Sequence, residues 1–120
     1  IKNKKGRIIN ISSIFGVVSK EMRSAYSSSK FGILGLTKSS ALDLANKNIL
    51  VNSISPGFIN TELTRRILKK SGMKIMAKTI PLKRVGKVEE IALLTVFLCS
   101  NYNTYITGQN IVIDGGFTVK

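Results

Sequence analysis

Histidine is absent from this sequence and cysteine occurs once, at Cys99. A single cysteine excludes an internal disulfide, and without histidine there is no Cys/His cluster of metal-ligand spacing to propose. Cys99 closes an apolar run with helical spacing, so it is expected to be a packed core thiol. Acidic residues are also scarce, 6 against 19 Lys and Arg, giving a formal charge of +13. Such an excess raises nucleic acid as a partner. However, Lys2, Lys4, Lys5 and Arg7 flank a strand instead of lining a recognition helix, and no zinc-finger or RNA-recognition signature occurs. No specific nucleic-acid partner is expected. No run of 18 or more apolar residues is present, and the N-terminal residues lead into no signal-like apolar core. The sequence therefore reads as soluble and cytoplasmic, with no membrane partner.

What is present is enough apolar residue, 43% of 120, to bury a core. Residues 7–11 form a short β-branched run bounded by Gly6 and Ser12-Ser13, the pattern of a buried strand. Apolar and small residues recur at helical spacing over 24–46, and Gly32 and Gly35 within that span predict close packing against a neighbour. Residues 49–55 read as a second strand, stopped by Pro56-Gly57. Strand, long helix and strand imply a parallel pair joined by a right-handed crossover. Residues 61–78 are basic and loosely helical, with an interruption expected at Gly72. A further helix is predicted over 88–99, where Glu89 and Glu90 suit a helix N-terminus. A third strand follows over 110–113, closed by Asp114-Gly115-Gly116. The order specifies an α/β fold with three parallel strands.

Tyr26 and Lys30, four residues apart near the start of the long helix, project from one face. A neighbouring ammonium favours a phenolate over a phenol, whose unperturbed pKa is about 10, and makes a tyrosine usable as an acid or base. Ser13 stands at the carboxyl end of the first strand, the edge at which ligands collect in parallel sheets. Its hydroxyl could donate to a substrate oxygen or could simply cap a turn. After the second strand, Pro56 to Thr61 places exposed backbone and a hydroxyl on the same edge. Arg66, Lys70, Lys74 and Lys78 recur every fourth residue and would form one basic stripe if their segment is helical.

Taken together, Gly6 to Ser13 with Gly16, Tyr26-Ser-Ser-Ser-Lys30, Asn52, Pro56-Gly57 with Thr61, and Ile113-Asp114-Gly115-Gly116 resemble the short-chain dehydrogenases/reductases, most of all the bacterial 3-oxoacyl-carrier-protein reductases. The resemblance implies the last three strands, with flanking helices, of a Rossmann-like doubly wound parallel sheet. It casts residues 1–120 as a catalytic C-terminal half without the nucleotide-binding half that precedes it in the family. It further implies NAD or NADP as cofactor and interconversion of a carbonyl and a secondary alcohol. In that reading Tyr26 is the acid or base and Ser13 holds the substrate oxygen. Lys30 assists Tyr26 and holds the nicotinamide ribose. Pro56 and Gly57 shape the wall against which the Ile59 backbone and Thr61 hydroxyl meet the carboxamide. The substrate is a small molecule or an acyl-carrier-linked chain; a sugar or other small alcohol, or a non-catalytic binding role on the same fold, remain alternatives. The complete protein is expected to be a homodimer or homotetramer.

Overall fold

The computed structural model describes residues 5–119. Its centre is a three-stranded parallel sheet in the order β1 (Gly6–Ile11), β2 (Ile49–Pro56), β3 (Asn110–Ile113). Gly6 pairs with Ile49 and Ile11 with Ile54, while Ser53 to Pro56 pair with Asn110 to Ile113. Side chains alternate across a strand, so this register gives the sheet two distinct faces. Ile49 and Val51 lie on the face that receives the long helix α1 (Ser24–Leu44), where they cluster with Ala41 and the half-buried Leu44. On the same face Asn10 donates from Nδ2 to Thr37 Oγ1 of α1 at 2.9 Å.

The opposite face carries Arg7, Asn52 and Ile54 and meets the end of helix α3 (Val88–Cys99). There the Arg7 guanidinium donates to the Asn103 carbonyl at 2.7 Å, and Asn103 Nδ2 donates to the last-turn carbonyl of Leu98 at 3.0 Å. Asn103 is buried, and so is Asn52, which bonds Ile106 O and Gln109 N. Ser53 and Ser55, also buried, both donate to Asn110 Oδ1 at 2.9 and 2.8 Å. The sheet centre is therefore polar but hydrogen-bonded, which removes most of the desolvation cost.

The elements expected from sequence all form, with differences at their margins. The long helix stops at Leu44 and tightens into a 3-10 turn, Ala45–Lys47, because Asn48 takes a left-handed conformation (φ 55°) and its N–H bonds Ala45 O. Helix α2 (Glu62–Thr79) kinks at Lys69 (φ 53°, ψ −179°) and not at Gly72. Gly72 supplies space instead, since a Cβ there would stand 3.2 Å from Leu68 Cβ. The kink breaks the basic stripe: Arg66 lies on the first segment, paired with Glu62 at 3.1 Å, and only Lys70, Lys74 and Lys78 continue on the second. No residue of α2 is buried.

Two packing expectations fail. Gly32 and Gly35 have no atom within 4 Å of where a Cβ would sit, so neither marks a close contact within the described residues. Cys99 is exposed, because α3 buries only Leu98 and leaves Leu93 and Val96 to solvent. Among the described residues, no helix is long and apolar enough to cross a membrane.

The start of α3 is held by Glu90, whose Oε2 accepts from Lys87 N–H at 2.7 Å while its carboxylate takes a bidentate contact from Arg84 at 2.8 and 2.6 Å. The Arg84 hydrogen bond, followed by that of the Lys87 backbone, holds the Glu90 carboxyl down at about 2, from an ordinary 4.5. A carboxyl whose folded pKa lies below its unfolded one contributes stability that is complete above the unfolded value and lost as pH falls through the folded one. The pair is part-exposed, so solvent weakens it. Glu90→Gln is expected to lower the melting temperature at pH 7. The difference from wild type should shrink from about pH 4.5 downward and vanish near pH 2, as followed by circular dichroism.

Candidate active site

The carboxyl end of β1 turns sharply, and the turn is what brings α1 to the sheet edge. Ser12 extends the ladder through its N–H to Ile54 O at 2.8 Å, then turns its hydroxyl onto the Lys30 carbonyl of α1 at 2.9 Å. Gly16, at the end of the 3-10 turn Ile14–Gly16, allows this approach. A Cβ on Gly16 would lie 2.6 Å from Ser12 Oγ and 2.7 Å from Lys30 O. Ser12 is a residue that the motif reading passes over in favour of Ser13, and its role is this junction.

Ser13 is buried and caps the 3-10 turn: its Oγ accepts from Phe15 N–H at 3.1 Å. Both roles open to it from sequence are thus compatible, because a hydroxyl that accepts from the backbone still has its own proton to donate. Lys30, one turn after Tyr26, sends Nζ to the Ile11 carbonyl at 3.2 Å and stands 5.7 Å from the Tyr26 ring centroid, within cation–π range. Tyr26 is 43% exposed, and its phenol oxygen makes no hydrogen bond among the described residues. Ser13 thus stands just after the end of β1, Lys30 reaches that strand's last carbonyl, and Tyr26 is reached from Ser13 through the Phe15 ring.

The second group of residues sits at the carboxyl end of β2. Pro56 is the last residue of that strand, paired with Ile113, and Gly57 N–H bonds Ile113 O at 3.0 Å. A Cβ on Gly57 would meet Asp114 Cα at 2.8 Å, which is why glycine follows the proline. Ile59 bridges Gly86, and its carbonyl accepts from Thr61 N–H at 2.9 Å. The Ile59 N–H makes no hydrogen bond among the described residues. Thr61 stands farther out as the N-cap of α2, its Oγ1 accepting from Thr64 N–H at 3.1 Å and sharing a hydrogen with the Thr64 hydroxyl at 2.9 Å.

Aromatic rings join the two groups. Phe15 meets Tyr26 edge-on with centroids 6.3 Å apart, Phe58 meets Phe15 at 6.4 Å, and Phe117 meets Phe58 at 5.2 Å. The three phenylalanines come from three separate turns and Tyr26 from the start of α1, so no periodicity in the sequence reveals the row. Behind the row, a cleft of about 100 Å³ is lined by Phe58, Ile59, Leu82, Ile91 and Ile113 and rimmed by the Arg84–Glu90 pair. It does not include Ser13, Tyr26 or Lys30.

The donor set fits the nicotinamide end of a dinucleotide: a lysine ammonium, an unbonded backbone N–H and a phenol on one sheet edge. Among the described residues no glycine-rich turn leads from a strand into a helix to cradle its phosphates.

Comparison with known proteins bears on this arrangement. A family model described as enoyl-(acyl carrier protein) reductase matches residues 1–118. The chain is 42% identical over 119 residues to the 3-oxoacyl-[acyl-carrier-protein] reductase FabG of Thermotoga maritima, covering 99% of this chain and 48% of that protein. It superposes on ElxO with NADP bound at a TM-score of 0.91, with 32% identity over 98% of this chain and 48% of the other. It superposes on 4-hydroxyisoleucine dehydrogenase complexed with NADH at 0.90, with 41% identity over 97% and 48%. The chain thus spans about half the length of the relatives it matches.

Gly16→Ala is expected to force the Ser12–Lys30 contact open. It should destabilise the fold by about 1–3 kcal/mol, the usual range for overpacking, in denaturant unfolding.

Proposed function

Because the chain belongs to the short-chain dehydrogenase/reductase family, we propose that it is the catalytic half of a cytoplasmic oxidoreductase that uses NAD or NADP to interconvert a carbonyl and a secondary alcohol. The observation that carries this reading is the assembly of Ser13, Tyr26 and Lys30 at the carboxyl end of β1. When bound, the nicotinamide supplies or accepts the hydride. The protein's part is to orient the substrate and to move one proton. Tyr26 gives its phenol proton to the carbonyl oxygen in reduction and takes it from the hydroxyl in oxidation. Ser13 donates a hydrogen bond to the same oxygen, which supports the charge that develops there. Lys30 places a cation beside Tyr26 and would hold a ribose hydroxyl of the bound cofactor, while the Ile59 N–H would donate to its carboxamide and Pro56-Gly57 would form the wall. Thr61 caps α2 as Ser13 caps its 3-10 turn, and with Thr64 as donor in their shared hydrogen bond its hydroxyl would keep a proton for the carboxamide.

The substrate that best agrees with the relatives is a 3-oxoacyl chain carried on an acyl carrier protein. The same fold also serves a 4-hydroxyisoleucine dehydrogenase, so the reacting group is better supported than its handle. Residues 1–120 act with a preceding nucleotide-binding half, and the surface agrees with a larger unit. The chain exposes 8087 Å², against about 6400 Å² for a compact monomer of its mass. Apolar side chains contribute to it: Leu36 and Leu42 on α1 and Leu93, Val96 and Phe97 on α3 are all exposed. Self-association as a homodimer or homotetramer would cover the same helices.

Tyr26→Phe keeps the ring and removes the proton, so in the protein containing both halves turnover is expected to fall by about 100-fold or more, with cofactor affinity largely retained. A near-normal steady-state rate for this variant would sink the assigned role. The 120-residue chain by itself is expected to show no binding of NADH or NADPH at micromolar concentration in calorimetry, because the phosphate cradle lies outside it.

A further inference from the structure

We infer that Phe15 is a positioning residue for Tyr26, its ring bracing the phenol ring edge-on and being braced in turn by Phe58 and Phe117. The inference rests on the reading of Tyr26 as the acid or base. It starts from how little else holds that ring. Tyr26 lies in the first turn of α1, whose N-cap position, Arg23, offers no side-chain hydrogen bond, and the preceding Met22 is 98% exposed with φ 58°. An uncapped first turn is the part of a helix most prone to fray. The phenol oxygen is unbonded among the described residues, and the Lys30 ammonium, hydrogen-bonded to the Ile11 carbonyl, adds a cation–π contact at 5.7 Å but no hydrogen bond to the phenol.

Against this, Phe15 meets the ring at 6.3 Å with planes 74° apart, the edge-to-face arrangement that aromatic quadrupoles favour. Phe15 is itself anchored, since its N–H is held by Ser13 Oγ and its ring meets Phe58 at 81°. The far end of the row is tied down by Asp114. Burial pushes the Asp114 carboxyl up, but hydrogen bonds from the Thr118 hydroxyl and from the Thr118, Gly116 and Phe117 backbone outweigh it and leave the group below its ordinary range. The ionised carboxylate thus knots the turn that carries Phe117, and Gly57 packs against the same Asp114, so the turns bearing Phe58 and Phe117 are fixed to each other. Restraint passes from this knot through three rings to the phenol. A catalytic group held in one orientation reacts faster than one that samples several.

The test is steady-state kinetics on the protein containing both halves, with NADPH or NADH and a 3-oxoacyl thioester. Phe15→Leu keeps apolar bulk but removes the ring edge. It should lower kcat about tenfold, with KM for the cofactor and the melting temperature unchanged. Phe15→Tyr should restore kcat, and Phe58→Leu should lower it in the same direction by less. In a Tyr26→Phe background, Phe15→Leu should cause no further loss. Unchanged kcat in Phe15→Leu, failure of Phe15→Tyr to rescue, or a full additional loss in the Tyr26→Phe background would each overturn the brace. Should Phe15→Leu yield no folded protein, Phe15→Met read in the same assays decides the matter. The two readings fail separately: a fast Tyr26→Phe enzyme sinks the acid–base assignment, whereas a slow one with an independent Phe15→Leu effect sinks only the brace.

Discussion

The close approach of α1 to the end of β1 is the contact on which the rest of the site depends. Its closest point is the hydrogen bond from Ser12 Oγ to Lys30 O, and it requires one missing atom, the Cβ of Gly16. The hydrogen bond contributes on the order of 1 kcal/mol. The steric condition is stricter, since no side chain fits where a Cβ would lie 2.6 Å from one partner and 2.7 Å from the other. Once α1 is set at that distance, the helical repeat places Tyr26 one turn earlier and brings the Lys30 side chain back to the Ile11 carbonyl. A serine, a glycine and a lysine carbonyl thus bring the start of α1 against the strand end.

The sheet behind this edge is held by an unusual share of buried polar side chains. Asn52, Ser53, Ser55 and Asn103 are all buried, and each is hydrogen-bonded. Asn110 Oδ1 takes both serine hydroxyls of β2, which ties β3 to its neighbour through side chains as well as backbone. Such a network fixes register more firmly than apolar packing does, because a slip of one residue would leave several buried groups unpaired. Register matters here because the turns after β2 and β3, which carry Phe58 and Phe117, must arrive at the same height.

Outside the sheet the molecule is less closed. Helix α2 buries nothing, α3 buries one residue, and α1 leaves Leu36 and Leu42 in solvent. The charge follows the same division: only two ion pairs, Arg66–Glu62 and Arg84–Glu90, occur among the described residues of a chain with 19 basic side chains. The basic segment of α2 beyond its kink therefore faces water without acidic partners close by, whereas the sheet edge owes its order to hydrogen bonds and rings.

Local sequence by itself determined the three strands, the two helices that flank them, and the pairing of Tyr26 with Lys30. β-branched runs, helical spacing and a Pro-Gly stop act over a few residues and need no knowledge of the fold. The grouping of Ser13, Tyr26, Lys30 and the Pro56–Thr61 segment was legible only because their types and order match a known family. What tertiary structure alone decided is of another kind. The break of α2 at Lys69 instead of Gly72, the exposure of Cys99 and the open surroundings of Gly32 and Gly35 depend on which helix faces find a neighbour. The tie from Ser12 to Lys30 and the row from Tyr26 to Phe117 join residues that lie far apart along the chain. Periodicity reports which face of an element is apolar, but only the packed sheet fixes which atoms of distant turns come within a few ångströms of one another.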